Sequence, residues 1–259
     1  MILEGKVAVI YGAGGAVGGA VACAFAREGA KLFLTGRTRA PVEAVSKRIA
    51  SAEADEVDAL DEQAVDKHLQ GVIEKAGRVD ISFNAVAIHN SHILGVPLTE
   101  LDAGQFSLPI TTHAMSYFLT ARLAARRMIP NKSGVIMTVT TLHSRTGLPF
   151  VGGYGPAQAT KEALTRDLSA ELAPHGVRVV GLRPQAMPEA RKIGEAFQAR
   201  ARAAGLTQEK FLELLASKTH PRRLMTLEEM ANVAAFMASD HASGMTGTTV
   251  NLTMGSLDD

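Results

Sequence analysis

The first chemistry legible in the chain is a glycine cluster, Gly12-Ala13-Gly14-Gly15-Ala16-Val17-Gly18-Gly19. It follows a short apolar run, Lys6–Tyr11, and leads into helical spacing over Val17–Glu28. Glycine at such a turn lets the backbone bend sharply and approach a pyrophosphate, and the following helix offers free N–H groups and a positive dipole end. Past the second apolar run lies Thr35-Gly36-Arg37-Thr38-Arg39, with no Asp or Glu. An acidic residue there would hold the ribose 2′-hydroxyl of NAD, whereas an arginine suits a 2′-phosphate. The expected cofactor is NADP(H) rather than NAD(H); the bland alternative is that Arg37 and Arg39 are solvated surface charges. Four histidines, His89, His92, His113 and His143, map to segments near the same edge. Histidine is the side chain best poised for proton transfer near neutral pH. Their alternative role is local hydrogen bonding. No metal is expected, since two loop histidines without a carboxylate make a weak ligand set.

These residues need a scaffold that brings strand ends together. Strand-like runs at Lys6–Tyr11, Lys31–Thr35, Asp55–Asp58, Asp80–Val86, Val135–Thr140, Arg178–Arg183 and Thr248–Leu252 alternate with helical spacing. The helical stretches are Val17–Glu28, Pro41–Ala52, Asp61–Ala76, Pro109–Met128, Gly153–Ala173 and Leu227–Ala238. Alternation of this kind predicts an α/β fold: a Rossmann-type, doubly wound parallel sheet of about seven strands with helices on both faces. Right-handed crossovers then gather every strand's carboxyl end on one edge, where ligands bind. Only Gln185–Leu224 leaves the alternation, and its amphipathic helical spacing makes it a candidate lid at about 185–224. Its Met187, Ile193, Phe197, Phe211 and Leu215 would line an apolar substrate pocket or belong to ordinary core. With no repeat or linker, residues 1–259 read as one domain.

Composition narrows the function classes. The chain has 259 residues, 46% of them hydrophobic, and a formal net charge of +1. Bulk charge therefore suggests neither nucleic acid nor an anionic membrane as partner. The one cysteine, Cys23, rules out an intramolecular disulfide and reads as packing. No apolar run reaches the ~18 residues of a membrane span. A strand begins close to the N-terminus without a preceding signal peptide. A cytoplasmic protein acting on a small molecule is expected.

From end to end the chain resembles the short-chain dehydrogenase/reductase family. That family carries Thr-Gly-x-x-x-Gly-x-Gly after its first strand; here Tyr11 stands for the threonine and Ala16 for the middle glycine. Asp58 matches an adenine-contacting aspartate after strand three, Phe83-Asn84-Ala85-Val86 stands where Asn-Asn-Ala-Gly follows strand four, and Met245-Thr246-Gly247 matches the tail. The resemblance implies cofactor contacts from Gly12, Gly14, Gly15, Ala16, Val17, Gly18, Arg37, Thr38, Asp58, Ala59, Asn84, Ala85, Val86, Tyr154, Gln158, Pro184 and Met187. It also implies a homotetramer or homodimer assembled through the Pro109–Met128 and Gly153–Ala173 helices.

The family's four catalytic positions are only half kept. Tyr154 matches the proton-transferring tyrosine, and Thr141 stands where a serine orients the carbonyl. Gln158 occupies the lysine position and His113 the asparagine position. An unperturbed tyrosine is only on the order of 0.1% phenolate at pH 7. A neighbouring ammonium would raise that fraction; neutral Gln158 cannot. Tyr154 is then a better acid than base, and reduction is the expected direction. His113 or His143 is a candidate to take over proton handling, and His143 and His89 are expected to border the substrate. Lys161, seven residues after Tyr154, would make the pattern of an enoyl-thioester reductase, but the position of Glu162 puts Gln158 in the lysine register. The leading expectation is an NADP(H)-dependent reductase of a carbonyl, imine or activated alkene. The alternatives are a dinucleotide-binding scaffold without dehydrogenase activity, regulatory or redox-neutral, and an enoyl-thioester reductase.

Overall fold

The computed structural model describes residues 1–49, 52–88, 93–189 and 191–258, with 191–196 described by backbone alone. Its seven strands are β1 (Val7–Tyr11), β2 (Lys31–Gly36), β3 (Ala52–Glu56), β4 (Ile81–Asn84), β5 (Gly134–Val139), β6 (Val177–Pro184) and β7 (Thr248–Leu252). They form one sheet in the order β3-β2-β1-β4-β5-β6-β7, and every neighbouring pair is parallel. β1 is buried along its whole length, as its unbroken apolar run requires of a strand covered on both faces.

The helices are α1 (Ala16–Arg27), α2 (Arg39–Ser46), α3 (Glu62–Ala76), α4 (Ala103–Met128), α5 (Tyr154–Leu172), α6 (Arg191–Ala203), α7 (Gln208–Ser217) and α8 (Leu227–Ala238). Alternate strand residues divide the core in two. Ala8, Ile10, Leu32 and Leu34 pack with Phe25 of α1, Val42 of α2 and Met230 of α8. Val7, Val9, Tyr11 and Phe33 pack on the opposite face with Leu69 of α3, Tyr117 of α4 and Leu168 of α5. Period-two side-chain alternation thus supplies one apolar surface to each helical layer. Chain order reverses between β1 and β4, so the crevice for a ligand opens beyond their carboxyl ends.

Three elements differ most from the sequence expectation, the others by at most two residues at an end. The α4 helix begins at Ala103 rather than Pro109, because the Asp102 carboxylate accepts from the Gly104 and Gln105 N–H groups and caps it there. The α2 helix spans Arg39–Ser46 rather than Pro41–Ala52, keeping Pro41 within its first turn. The third strand runs Ala52–Glu56 instead of Asp55–Asp58; its register is set by β2, from Leu32↔Ala52 to Gly36↔Glu56. Among the described residues no helix is long and apolar enough to cross a membrane.

Two close backbone approaches position the functional edge. Gly12 has φ +75°, and a Cβ there would lie 2.6 Å from the Ala85 carbonyl oxygen. The glycine turn therefore rests directly on the end of β4. Gly153, the residue before α5, lies against α4, where an added Cβ would run into the Phe106 carbonyl oxygen. Gly153→Ala must push α5 away from α4. Overpacking of this kind costs about 1–3 kcal/mol. Denaturant unfolding is expected to show that loss; a variant as stable as the parent would mean the two helices do not approach so closely.

Candidate active site at the carboxyl edge

The glycine turn hands over to α1 with no side-chain cap at Gly15 and no acidic residue in the first turn. Gly15 and Ala16 are exposed. The free N–H groups at that helix end are thus open to an anion, which fits a dinucleotide pyrophosphate. At the end of β2, Arg37 and Thr38 are exposed. Arg39 is engaged elsewhere: its Nε lies 2.6 Å from Glu43 Oε1, and its N–H donates to Glu56. Among the described residues no carboxylate pairs with Arg37. Asp58 Oδ1 accepts from the Leu60 N–H at 3.0 Å, and Ala59 is buried beside it. Asn84 is buried at the end of β4, where its Nδ2 donates to Thr120 Oγ1 at 3.1 Å and its Oδ1 accepts from the Val86 N–H. Pro184 ends β6 opposite Leu252, and Met187 is buried in the layer of α1, α2 and α8.

The residues expected to handle protons converge. Tyr154 is the first residue of α5 and Thr141 follows β5. The Thr141 hydroxyl contacts His143 Nδ1 at 3.0 Å and lies near enough to Tyr154 to ease ionisation of its phenol. The Tyr154 ring meets His143 edge-on at 5.6 Å between centroids, and His113 of α4 at 6.0 Å. Gln158, one turn after Tyr154, is 1% exposed. Lys161 is also buried; its Nζ donates to the carbonyl of Val139, the last residue of β5.

Burial dominates the electrostatics. It pushes the Tyr154 phenol above its ordinary range, against the Thr141 hydroxyl and the charge of Arg200. It holds His113 down to about 3, helped by the Lys161 charge. Neither His113 ring nitrogen has a hydrogen-bond partner among the described residues; the Val86 backbone pulls its pKa up, but by less than burial lowers it. His143, partly buried, is likewise held low by burial and then by Arg200. Burial lowers Lys161 to about 7, with Glu162 pulling the other way. At neutral pH the site presents a protonated phenol between two neutral imidazoles.

Several functional residues were not singled out by sequence reasoning. Glu162, used there only to fix the register, forms a buried pair with Arg183: Nε to Oε1 at 2.8 Å and Nη2 to Oε2 at 2.9 Å. Glu162 Oε1 also accepts from Thr140 at 3.0 Å and Ser144 at 2.5 Å. Arg200 of α6 reaches His143 from the segment expected to be a lid. Of that segment's apolar residues, Phe197 and Phe211 pack on each other at 6.2 Å and, with Leu215, form a cluster of their own. The side chain of Ile193 lies outside the described residues, as do His89 and His92. Among the described residues no three histidine, cysteine or acidic side chains are grouped to hold a metal ion.

A family model described as enoyl-(acyl carrier protein) reductase matches residues 12–256. An uncharacterised oxidoreductase of Caenorhabditis elegans is 29% identical over 256 residues, spanning 96% of this chain and 78% of that one. A 3-oxoacyl-[acyl-carrier-protein] reductase of Rickettsia conorii is 26% identical over 255 residues, 98% of each chain. The crystal structure of sorbitol-6-phosphate 2-dehydrogenase from Erwinia amylovora superposes with a TM-score of 0.89 at 24% identity, covering 97% of this chain and all of that one.

The suppressed basicity of His113 has a consequence for stability. An unfolded histidine binds a proton below about pH 6.5, whereas folded His113 refuses it until about 3. The unfolded state then holds more protons between those values, so stability falls as pH drops through that window. At pH 5 the His113 share is up to about 2 kcal/mol, and His143 and His68 act in the same direction. His113→Gln is expected to flatten the dependence of unfolding free energy on pH between 7 and 5. An unchanged slope would show that the ring is solvated.

Proposed function

The chain belongs to the short-chain dehydrogenase/reductase family, and from that premise we propose that it is an NADP(H)-dependent reductase of a carbonyl, imine or activated alkene. The observation that carries this reading is the placement of Tyr154: it opens α5 between the His113 and His143 rings, with neutral Gln158 one turn on, where a cation would make it a base; burial raises its phenol accordingly.

The residues at the edge fit the dinucleotide. Gly12, Gly14, Gly15 and the start of α1 would take the pyrophosphate, Arg37 and Thr38 a 2′-phosphate, and Asp58 with Ala59 the adenine. Asn84, Ala85, Val86 and Gln158 would border the nicotinamide ribose, and Pro184 and Met187 the ring. Bound there, the reduced cofactor supplies a hydride. The protein's share is positioning and proton transfer. Thr141 orients the acceptor oxygen and Tyr154 donates the proton to it. His113 and His143, both neutral, wall the phenol without adding charge. Exposed Phe106, Leu108 and Met115 on α4 support assembly through that helix.

Lys161 favours a second reading, an enoyl-thioester reductase, because its ammonium is turned to the carboxyl end of β5. Loss of enoyl-thioester reduction in Lys161→Met, with little effect of Gln158→Leu, would select it.

Mixing the protein with NADPH and a panel of ketones, imines and enones, and following nicotinamide absorbance, tests the proposal. Substrate-dependent oxidation of NADPH is expected. Arg37→Asp should shift preference toward NADH by about tenfold or more, the scale of one lost charge-assisted contact. Dinucleotide binding with no turnover on any member of the panel would instead favour a scaffold without dehydrogenase activity.

A further inference from the structure

Arg200 is 8% exposed. Its guanidinium sits over the Phe211 ring at 5.2 Å, and Nη1 lies 3.3 Å from His143 Nε2. Among the described residues no carboxylate pairs with it. Burial of a cation is costly, so the groups around it matter to its stability.

The hydrogen-bond directions follow from valence. A guanidinium only donates, so His143 Nε2 must accept. The neutral ring then carries its hydrogen on Nδ1, which donates to Thr141 Oγ1 at 3.0 Å. The backbone N–H of His143 donates to the same oxygen at 3.3 Å. With both acceptor positions of Oγ1 taken, the hydroxyl's single hydrogen is free to turn to Tyr154, whose ring lies against His143 at 5.6 Å between centroids and whose ionisation Thr141 eases. The donors of Arg200 and His143 run in one direction, toward Thr141. Such a row is polarised from its charged end, and each bond strengthens the next.

We propose that Arg200 is a positioning residue that replaces the ammonium absent at Gln158, stabilising the Tyr154 phenolate through His143 and Thr141. This rests on the reading of Tyr154 as proton donor. In that step a hydride goes from the reduced dinucleotide to the substrate carbon and the Tyr154 proton goes to the substrate oxygen. The substrate is reduced, the dinucleotide is oxidised, and the phenolate left behind regains its proton from solvent. The row is what holds the phenolate in the interval. Because Arg200 belongs to α6, the segment over the site also completes its electrostatics. Among the described residues the other titratable groups facing Tyr154 are His113 of α4 and His143, both neutral. Lys161 on α5 loses its charge in the neutral range. In alkaline solution Arg200 is therefore, among the described residues, the cation that acts on the phenol.

The chain has three tyrosines, Tyr11, Tyr117 and Tyr154, and no tryptophan. Burial pushes all three upward, but Tyr11 and Tyr117 are fully buried whereas Tyr154 is partly exposed and has Arg200 nearby, so Tyr154 is expected to ionise first. Replacing the three by 3-fluorotyrosine lowers each phenol's pKa and gives three fluorine resonances, with Tyr154 assigned by its loss in Tyr154→Phe. The midpoint for Tyr154 is expected to rise by about one pH unit, a tenfold weaker acid, in Arg200→Met and in His143→Leu, with Arg200→Lys intermediate. Unchanged Tyr11 and Tyr117 resonances report an intact fold; should Arg200→Met disturb them, His143→Leu carries the test. Equal midpoints in parent and variants, or a shift in Arg200→Met with none in His143→Leu, would overturn the proposal. So would a parent Tyr154 that does not ionise before the fold is lost. The titration needs neither substrate nor cofactor, so its failure is separable from failure to turn over any carbonyl.

Discussion

The Tyr154 hydroxyl can act only where α5 holds it, and one buried carboxylate ties α5 to the end of β6. Glu162 and Arg183 are each 3% exposed, and both carboxylate oxygens meet the guanidinium. The same carboxylate accepts from Thr140 and Ser144, which flank the turn that carries Thr141 and His143. One side chain thus fixes the helix bearing Tyr154 and Gln158 against β6 and against the opposing hydroxyl. Burial raises the Glu162 pKa, but Arg183, Ser144 and Thr140 together outweigh it and keep the group ionised. Removing one partner of such a pair leaves a buried charge uncompensated, at a cost of about 3–5 kcal/mol.

Around that anchor the site is poor in charge. His113 and His143 are neutral and Lys161 is only partly charged near pH 7. In such surroundings each remaining polar contact counts for more than it would in water. A phenol desolvated in this way is a proton donor, and the row of donors leading toward it eases loss of the proton without making it a resting base. On the function proposed above, these surroundings would favour reduction over oxidation.

The scaffold was legible because its signals are local. β1 and the glycine turn are contiguous, and the alternation of strands and helices survives errors of a few residues. β3 was misplaced because an acidic, half-exposed edge strand takes its register from β2, a partner the local sequence does not reveal. The start of α4 was missed because Pro109 imitates a first-turn residue while the cap is Asp102. At the site, Tyr154, Thr141, Gln158, His113 and His143 were named from spacing and resemblance, and the fold draws Tyr154, Thr141, His113 and His143 into one cluster. Arg183 and Arg200 were not foreseen: the contacts they make span 21 and 57 residues of chain, with no motif to mark them. The neutrality of His113 was equally hidden, since it comes from burial and not from residue type.

Proton donation by Tyr154 is the step on which the proposed reduction depends. A single turnover with NADPH already bound, comparing the parent with Tyr154→Phe, reads that step without the complication of cofactor release. Loss of the donor should slow the chemical step by about 10²–10⁴-fold while dinucleotide affinity stays near the parent's. A phenylalanine variant that reduces substrate at close to the parental rate would contradict it.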